Sequence, residues 1–182
     1  MSNTLIDTYA KCSSILEAQE IFDKMKVRNV VSWTALMCGF MDRGYVECAI
    51  ELCNIMQSEG ISPNVVTYVC ALKACASIGS IESGKNLHIE ILKMGLENAN
   101  RQRIGHILIT FYSKSRMFEE ARKIFDMLPV RNEVVWSSLI SGYTNHGYGE
   151  EALVCFECMQ DEGLSPDAIT FLCVLRACGH KG

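Results

Sequence analysis

Cys155 and Cys158 stand at CxxC spacing, which suits thiol–disulfide chemistry or half of a zinc site. Both uses need company. No second CxxC accompanies this one, and Ala152-Leu153-Val154-Cys155 reads as the middle of a helix. Cys70/Cys75 and Cys173/Cys178 are spaced i,i+5, which places two helical thiols poorly for a shared ligand. His88, His106, His146 and His180 make no cluster with carboxylates at a useful spacing. His88, His146 and His180 are expected on the surface or in turns. There is no Gly-rich phosphate loop, no Ser-His-Asp set, and no HxE with PCxxC deaminase signature. The residues therefore point away from an enzyme. No catalytic group, metal or cofactor is expected.

The elements that carry these residues are helical. The chain has 182 residues, 49% hydrophobic and 21% charged, which is a globular composition. Only 3 prolines occur, so long helices are permitted. No run of about 18 apolar residues exists, so no membrane span is expected. The net charge of −4 excludes a broadly basic nucleic-acid clamp, although a basic groove on one face stays open. Ten cysteines lie inside apolar helical patterns such as Cys70-Ala71-Leu72 and Leu172-Cys173-Val174. Most are expected to be small buried hydrophobes in a reducing compartment. The segment Met1-Ser2-Asn3-Thr4-Leu5-Ile6 enters an apolar pattern at once, so neither a signal nor a transit peptide is read there. Both ends fall inside a repeating unit, so the chain reads as an excerpt of a longer protein.

The repeat is visible by shifting the chain against itself by 103 residues. Trp33 then meets Trp136, Tyr9 meets Tyr112, Lys11 meets Lys114, and Phe22-Asp23 meets Phe125-Asp126. Val27-Arg28-Asn29 meets Val130-Arg131-Asn132, Gly60 meets Gly163, and Pro63 meets Pro166. Each 103-residue unit divides again, at Val30, Val65, Gln102, Glu133 and Ala168. The expected repeats are 1–29, 30–64, 65–101, 102–132, 133–167 and the partial 168–182. Units of this size stack into a helical solenoid, because one unit cannot bury its own apolar face.

Within 30–64, Trp33, Leu36, Met37 and Phe40 recur at helical spacing. Asp42-Arg43-Gly44 breaks that helix. Ala49, Ile50, Leu52, Cys53 and Met56 mark a second one, which Gly60 and Pro63 end. In the first unit Ala18, Ile21, Phe22 and Met25 mark the matching second helix. Its Glu17, Glu20, Asp23 and Lys24 are expected to form a solvated face. No strand alternation is present.

Several segments resemble pentatricopeptide repeats. They are Val65-Val66-Thr67-Tyr68, Ile6-Asp7-Thr8-Tyr9-Ala10-Lys11-Cys12 and Glu119-Glu120-Ala121-Arg122-Lys123-Ile124-Phe125-Asp126. Ala71-Leu72-Lys73-Ala74-Cys75-Ala76 and Val174-Leu175-Arg176-Ala177-Cys178 look like the long variant of the repeat. The order short, standard, long, repeated, is that of the PLS subclass of plant organelle proteins. The resemblance implies an all-α right-handed superhelix of stacked helix hairpins. It implies a single-stranded RNA partner, read one base per repeat, in a chloroplast or mitochondrion. It implies no membrane.

The resemblance also implies which residues read. One lies near the start of a first helix and the other is the last residue of the repeat. The pairs here are Asn3/Asn29, Thr34/Asn64, His106/Asn132 and Ser137/Asp167. An Asn amide can donate to adenine N1 or cytosine N3. An Asp carboxylate accepts from guanine N1–H or uracil N3–H. Thr34/Asn64 then looks like an adenine reader, Ser137/Asp167 a guanine reader and Asn3/Asn29 a pyrimidine reader. His106 departs from the usual pattern, and Val69 in the long repeat has no hydrogen-bonding side chain, so neither repeat is given a base. The family pattern places Val31, Val66, Arg103 and Val134 as wedges between bases, and Lys11 and Lys114 as phosphate contacts. The implied target is 5′-pyrimidine-A-N-N-G-3′.

Some PLS proteins end in a deaminase-like domain and direct C-to-U editing, so site-specific RNA editing is the expected process. A second expectation belongs to another class. The array could be a scaffold that binds multiple organellar RNA editing factors, which the negative net charge favours.

Overall fold

The computed structural model describes the backbone of residues 2–12, 14–94 and 98–179, with side chains for all of these except 2, 3, 11, 98 and 99. Among the described residues there are eleven helices and no strand. They are α1 (Ser2–Lys11), α2 (Ile15–Asp23), α3 (Val30–Asp42), α4 (Val46–Ser58), α5 (Val65–Ile78), α6 (Ile81–Lys93), α7 (Asn98–Lys114), α8 (Phe118–Met127), α9 (Glu133–Asn145), α10 (Gly149–Asp161) and α11 (Ala168–Gly179).

Short polar side chains start the first helix of a hairpin. Asn29 Oδ1 accepts the N–H of Val31 at 3.1 Å and of Ser32 at 3.0 Å, capping α3. Asn64 does the same for α5 through Thr67 N–H, and Asn132 for α9 through Val135 N–H. Asp167 Oδ1 accepts Thr170 N–H at 2.7 Å at the start of α11. Each cap satisfies a donor that the first turn leaves unpaired and contributes about 1 kcal/mol. Glycine turns the chain between helices. Gly44 and Gly60 have φ of 78° and 76°, the left-handed region that a Cβ disfavours.

The chain divides into two units, Met1–Ile91 and Leu92–Gly182. In the first, α1, α3 and α5 lie side by side, and each of α2 and α4 packs back on the helices flanking it. Glu90 ties α6 in by accepting from Gln57 Nε2 at 2.7 Å and from the Tyr68 hydroxyl at 3.2 Å. In the second unit α7, α9 and α11 form the row, with α8 and α10 behind it. This is the all-α solenoid of stacked helix hairpins expected from the repeat. Trp33, Leu36 and Met37 on α3 and Ala49, Cys53 and Met56 on α4 are buried, while Glu17, Glu20, Asp23 and Lys24 stay exposed.

The row of first helices is close-packed at glycine. A Cβ on Gly39 of α3 would come within 2.5 Å of the Ala10 Cβ on α1. One 103-residue step later, a Cβ on Gly142 of α9 would overlap Ser113 on α7. Neither helix pair could sit as near with a larger residue there.

Two expectations change. Only Cys53, Cys75, Cys155 and Cys173 are buried; Cys38 and Cys70 are half-buried, and Cys12, Cys48, Cys158 and Cys178 are exposed. Cys12 lies just past α1, and on α4, α10 and α11 the apolar neighbours of Cys48, Cys158 and Cys178 turn inward, so sequence context misassigned them. Cys155 and Cys158 thus face different surroundings, with Cys155 buried near Arg122. His88 lies inside α6 and is half-buried, rather than in a turn. Burial lowers its pKa below the ordinary histidine value. His146 lies in the turn after α9, as expected, and packs edge-on against Phe118, whereas His180 falls outside the described residues.

Candidate nucleic-acid interface

The cap of one helix and a hydroxyl of the preceding first helix meet through a threonine. In the first unit, Asn64 Oδ1 accepts both the N–H of Thr67 at 3.0 Å and its hydroxyl at 3.1 Å. Thr67 Oγ1 lies 2.8 Å from Thr34 Oγ1, which in turn lies 2.7 Å from the Val30 carbonyl oxygen. In the second unit, Asp167 Oδ1 accepts the Thr170 N–H and hydroxyl, both at 2.7 Å. Thr170 Oγ1 lies 2.6 Å from Ser137 Oγ, which is 3.4 Å from Asp167 Oδ1. The pairs Thr34/Asn64 and Ser137/Asp167 are therefore each brought together.

Capping also fixes what each pair offers. Because Asn64 Oδ1 faces the α5 N-terminus, its amide nitrogen is the end turned away from the helix, so Asn64 presents donors. Asp167 presents an acceptor. Thr170 N–H, then the Thr170 hydroxyl, hold its carboxyl below the usual carboxylate range, so it stays ionised at neutral pH. Thr34 and Ser137 are 7% and 8% exposed, so little of either residue is reachable.

Val31, Val66 and Val134 stand one residue into their helices and are 52%, 37% and 51% exposed, which suits insertion between flat rings better than core packing. Arg103 and Lys114 are exposed too. A groove of the second unit is lined by Lys114, Val134, Ser137 and Asp167, with Ser138, Ser141, Asn145 and Ile169 beside them. It gathers a cation, an apolar edge and the hydrogen-bonding pair in one place.

Other expected positions differ. α7 begins at Asn98, so repeat 102–132 opens inside a helix and His106 is half-buried well past its first turn. Asn132 caps α9, but the residue in the threonine place is Val135, which has no hydroxyl. Asn29 caps α3 with Ser32, whose hydroxyl donates to the Asn29 carbonyl at 2.8 Å. The side chains of Asn3 and Lys11 lie outside the described residues. Sequence reasoning missed Thr67 and Thr170. Their signal was the recurrence of threonine at the third place of Val65-Val66-Thr67 and Ala168-Ile169-Thr170.

The pattern of the PPR repeat family matches residues 28–77 and 131–180, and that of the PPR repeat matches 1–30 and 106–132. The chain belongs to the PPR repeat family. A pentatricopeptide repeat-containing protein of Arabidopsis thaliana is 39% identical over 100% of this PPR chain, which covers 23% of that relative. The chloroplastic Arabidopsis thaliana protein CRR2 is 40% identical over 98% of the chain, with 27% of the relative covered. The PPR chain thus spans under a third of these relatives. The solved structure of PPR10 from maize superposes at a TM-score of 0.68 with 22% identity, covering 100% of this chain and 27% of PPR10. PPR10 in complex with an 18-nt psaJ RNA element superposes at 0.76 with 18% identity, covering 99% and 27%. At these identities the likeness shows the fold.

Proposed function

We propose that this PPR chain is a sequence-selective single-stranded RNA-binding module in which one repeat addresses one base. The observation that carries the reading is the double occurrence, one 103-residue step apart, of a capping Asn or Asp joined to a hydroxyl of the preceding first helix. Stability needs only the cap. The contact to the hydroxyl of the preceding helix goes beyond the cap, and it places two hydrogen-bonding groups at one edge. The RNA complex of PPR10 supports the same use of this fold.

Thr34/Asn64 selects adenine and Ser137/Asp167 selects guanine. The exposed Val31, Val66 and Val134 separate neighbouring bases, and Lys114 and Arg103 meet phosphates or bases. Asn3/Asn29 addresses a pyrimidine. Binding, rather than turnover, is the activity of this stretch. In the whole protein it directs an organelle transcript to site-specific processing, with C-to-U editing in a chloroplast or mitochondrion as the leading outcome. The short, standard, long order of repeats supports the PLS subclass.

The test is fluorescence polarisation with short single-stranded RNAs at low salt. One probe carries 5′-CANNG-3′ and the other has A and G exchanged. Tighter binding to the first supports base reading in this register. Equal binding to both leaves a phosphate-driven binder. No binding to either shifts the function to a protein scaffold for editing factors.

A further inference from the structure

We infer that the hydroxyls of Thr67 and Thr170 are positioning groups for base selection: they tie the cap to the reader hydroxyl and turn that hydroxyl into an acceptor. The inference rests on the RNA reading above and adds a third residue to each reading pair.

Counting protons gives the argument. A carboxylate only accepts, so at 2.7 Å the Thr170 hydroxyl donates to Asp167 Oδ1. That uses its one proton. The 2.6 Å contact between Ser137 Oγ and Thr170 Oγ1 then requires Ser137 to donate. Ser137 has no proton left for a ligand and offers lone pairs only. In the first unit Thr34 lies 2.7 Å from the Val30 carbonyl and 2.8 Å from Thr67 Oγ1. Its proton goes to one of these, and both lie inside the protein. Thr34 also offers lone pairs only.

At Asp167 the polarity selects between bases that the cap alone leaves ambiguous. Asp167 by itself accepts from guanine N1–H or uracil N3–H. Guanine carries a second donor beside the first, its exocyclic amino group, whereas uracil N3–H is flanked by two carbonyls. Two acceptors side by side fit guanine and repel uracil. Asn64 with an accepting Thr34 suits a ring acceptor beside an amino group, a pattern adenine and cytosine share, so there the polarity rejects uracil without choosing between those two. The two copies differ in how firmly the polarity is held. Thr34 keeps the Val30 carbonyl without Thr67. Ser137 without Thr170 has only Asp167 Oδ1, at 3.4 Å, which is a weak hold.

The decisive variant is Thr170→Val, with Thr170→Ser as its conservative partner. RNAs that differ only by G or U at the Ser137/Asp167 position are compared by fluorescence polarisation, alongside melting temperatures. The G-over-U preference should fall about three- to tenfold in Thr170→Val, the effect of one hydrogen bond, and be kept in Thr170→Ser. Thr67→Val should lose less preference at its own base. Where Thr170→Val melts early, Thr170→Ala removes the same hydroxyl without bulk. An undiminished preference in folded Thr170→Val or Thr170→Ala overturns the positioning role while leaving RNA reading intact. A wild-type chain with no preference between G and U overturns both.

Discussion

Phe22 and Trp33 meet edge to face with ring centroids 4.6 Å apart, and Phe125 and Trp136 repeat the contact at 4.5 Å. Each pair joins the second helix of one repeat to the first helix of the next. Arg28 lies 4.7 Å over the Phe22 ring and pairs with Glu59 at 3.4 Å, extending the joint toward the following repeat. Arg131, Phe125 and Glu162 form the same clamp. Such ring pairs contribute about 0.5–1.5 kcal/mol beyond the area they bury.

Phe22→Ala removes this joint. Phe22 is 3% exposed, so its loss opens a cavity at a repeat junction. The expected cost is about 3–5 kcal/mol, read from urea unfolding midpoints or a fall in melting temperature. An unchanged midpoint would mean that the ring is dispensable.

Asn64→Asp separates recognition from stability. Aspartate caps a helix as well as asparagine does, so unfolding free energy should stay within about 0.5 kcal/mol. The donor that Asn64 presents becomes an acceptor, and preference at that base should move from A toward G. The same RNA titration shows it; four bases bound equally before and after would remove Asn64 from the reading set.

Gly39→Ala and Gly142→Ala test the close approach of the first helices. In an open helix such a change would stabilise by about 0.5–1 kcal/mol. Here the added methyl meets Ala10 and Ile15, or Ser113, and overpacking should win with a net loss of about 1–3 kcal/mol. Thermal melts decide the sign, and a rise in either variant would place the helices farther apart.

Alkaline pH should weaken the fold. Burial pushes the Cys53, Cys75 and Cys155 thiols up to about 11 from an ordinary value of 9.0. The unfolded chain releases these protons first, so stability is fully present below pH 9.0 and is lost as pH rises through about 11. Urea midpoints at neutral pH, pH 9 and pH 11 should fall only over the last interval. A flat profile would mean that these thiols ionise as easily in the native state.

The hairpin architecture was legible because the 103-residue step repeats aromatic, glycine and proline positions without a gap. Helix starts were legible wherever an Asn or Asp cap precedes apolar spacing. The start of α7 was not, since Asn98-Ala99-Asn100-Arg101 has no apolar period yet continues the helix in front of Gln102. The reader pairs came from resemblance; spacing alone does not show that residues 30 apart touch. The threonine between them was hidden for another reason. A buried threonine at the third place of a helix looks like an ordinary first-turn residue until its neighbour across the helix row is seen. Trp33 and Trp136 also read alike, yet Trp136 Nε1 donates to Glu162 at 3.0 Å while Trp33 Nε1 is buried with no partner among the described residues.

The glycines at 39 and 142 have a metrical consequence. Each lets two first helices approach to a set distance, so on the proposed RNA reading it works as the tick of a ruler laid along the strand. An error in one tick is small. In an array of many repeats such errors add with every nucleotide, and the protein and its strand fall out of phase. A longer array therefore tolerates less variation at this position than a short one.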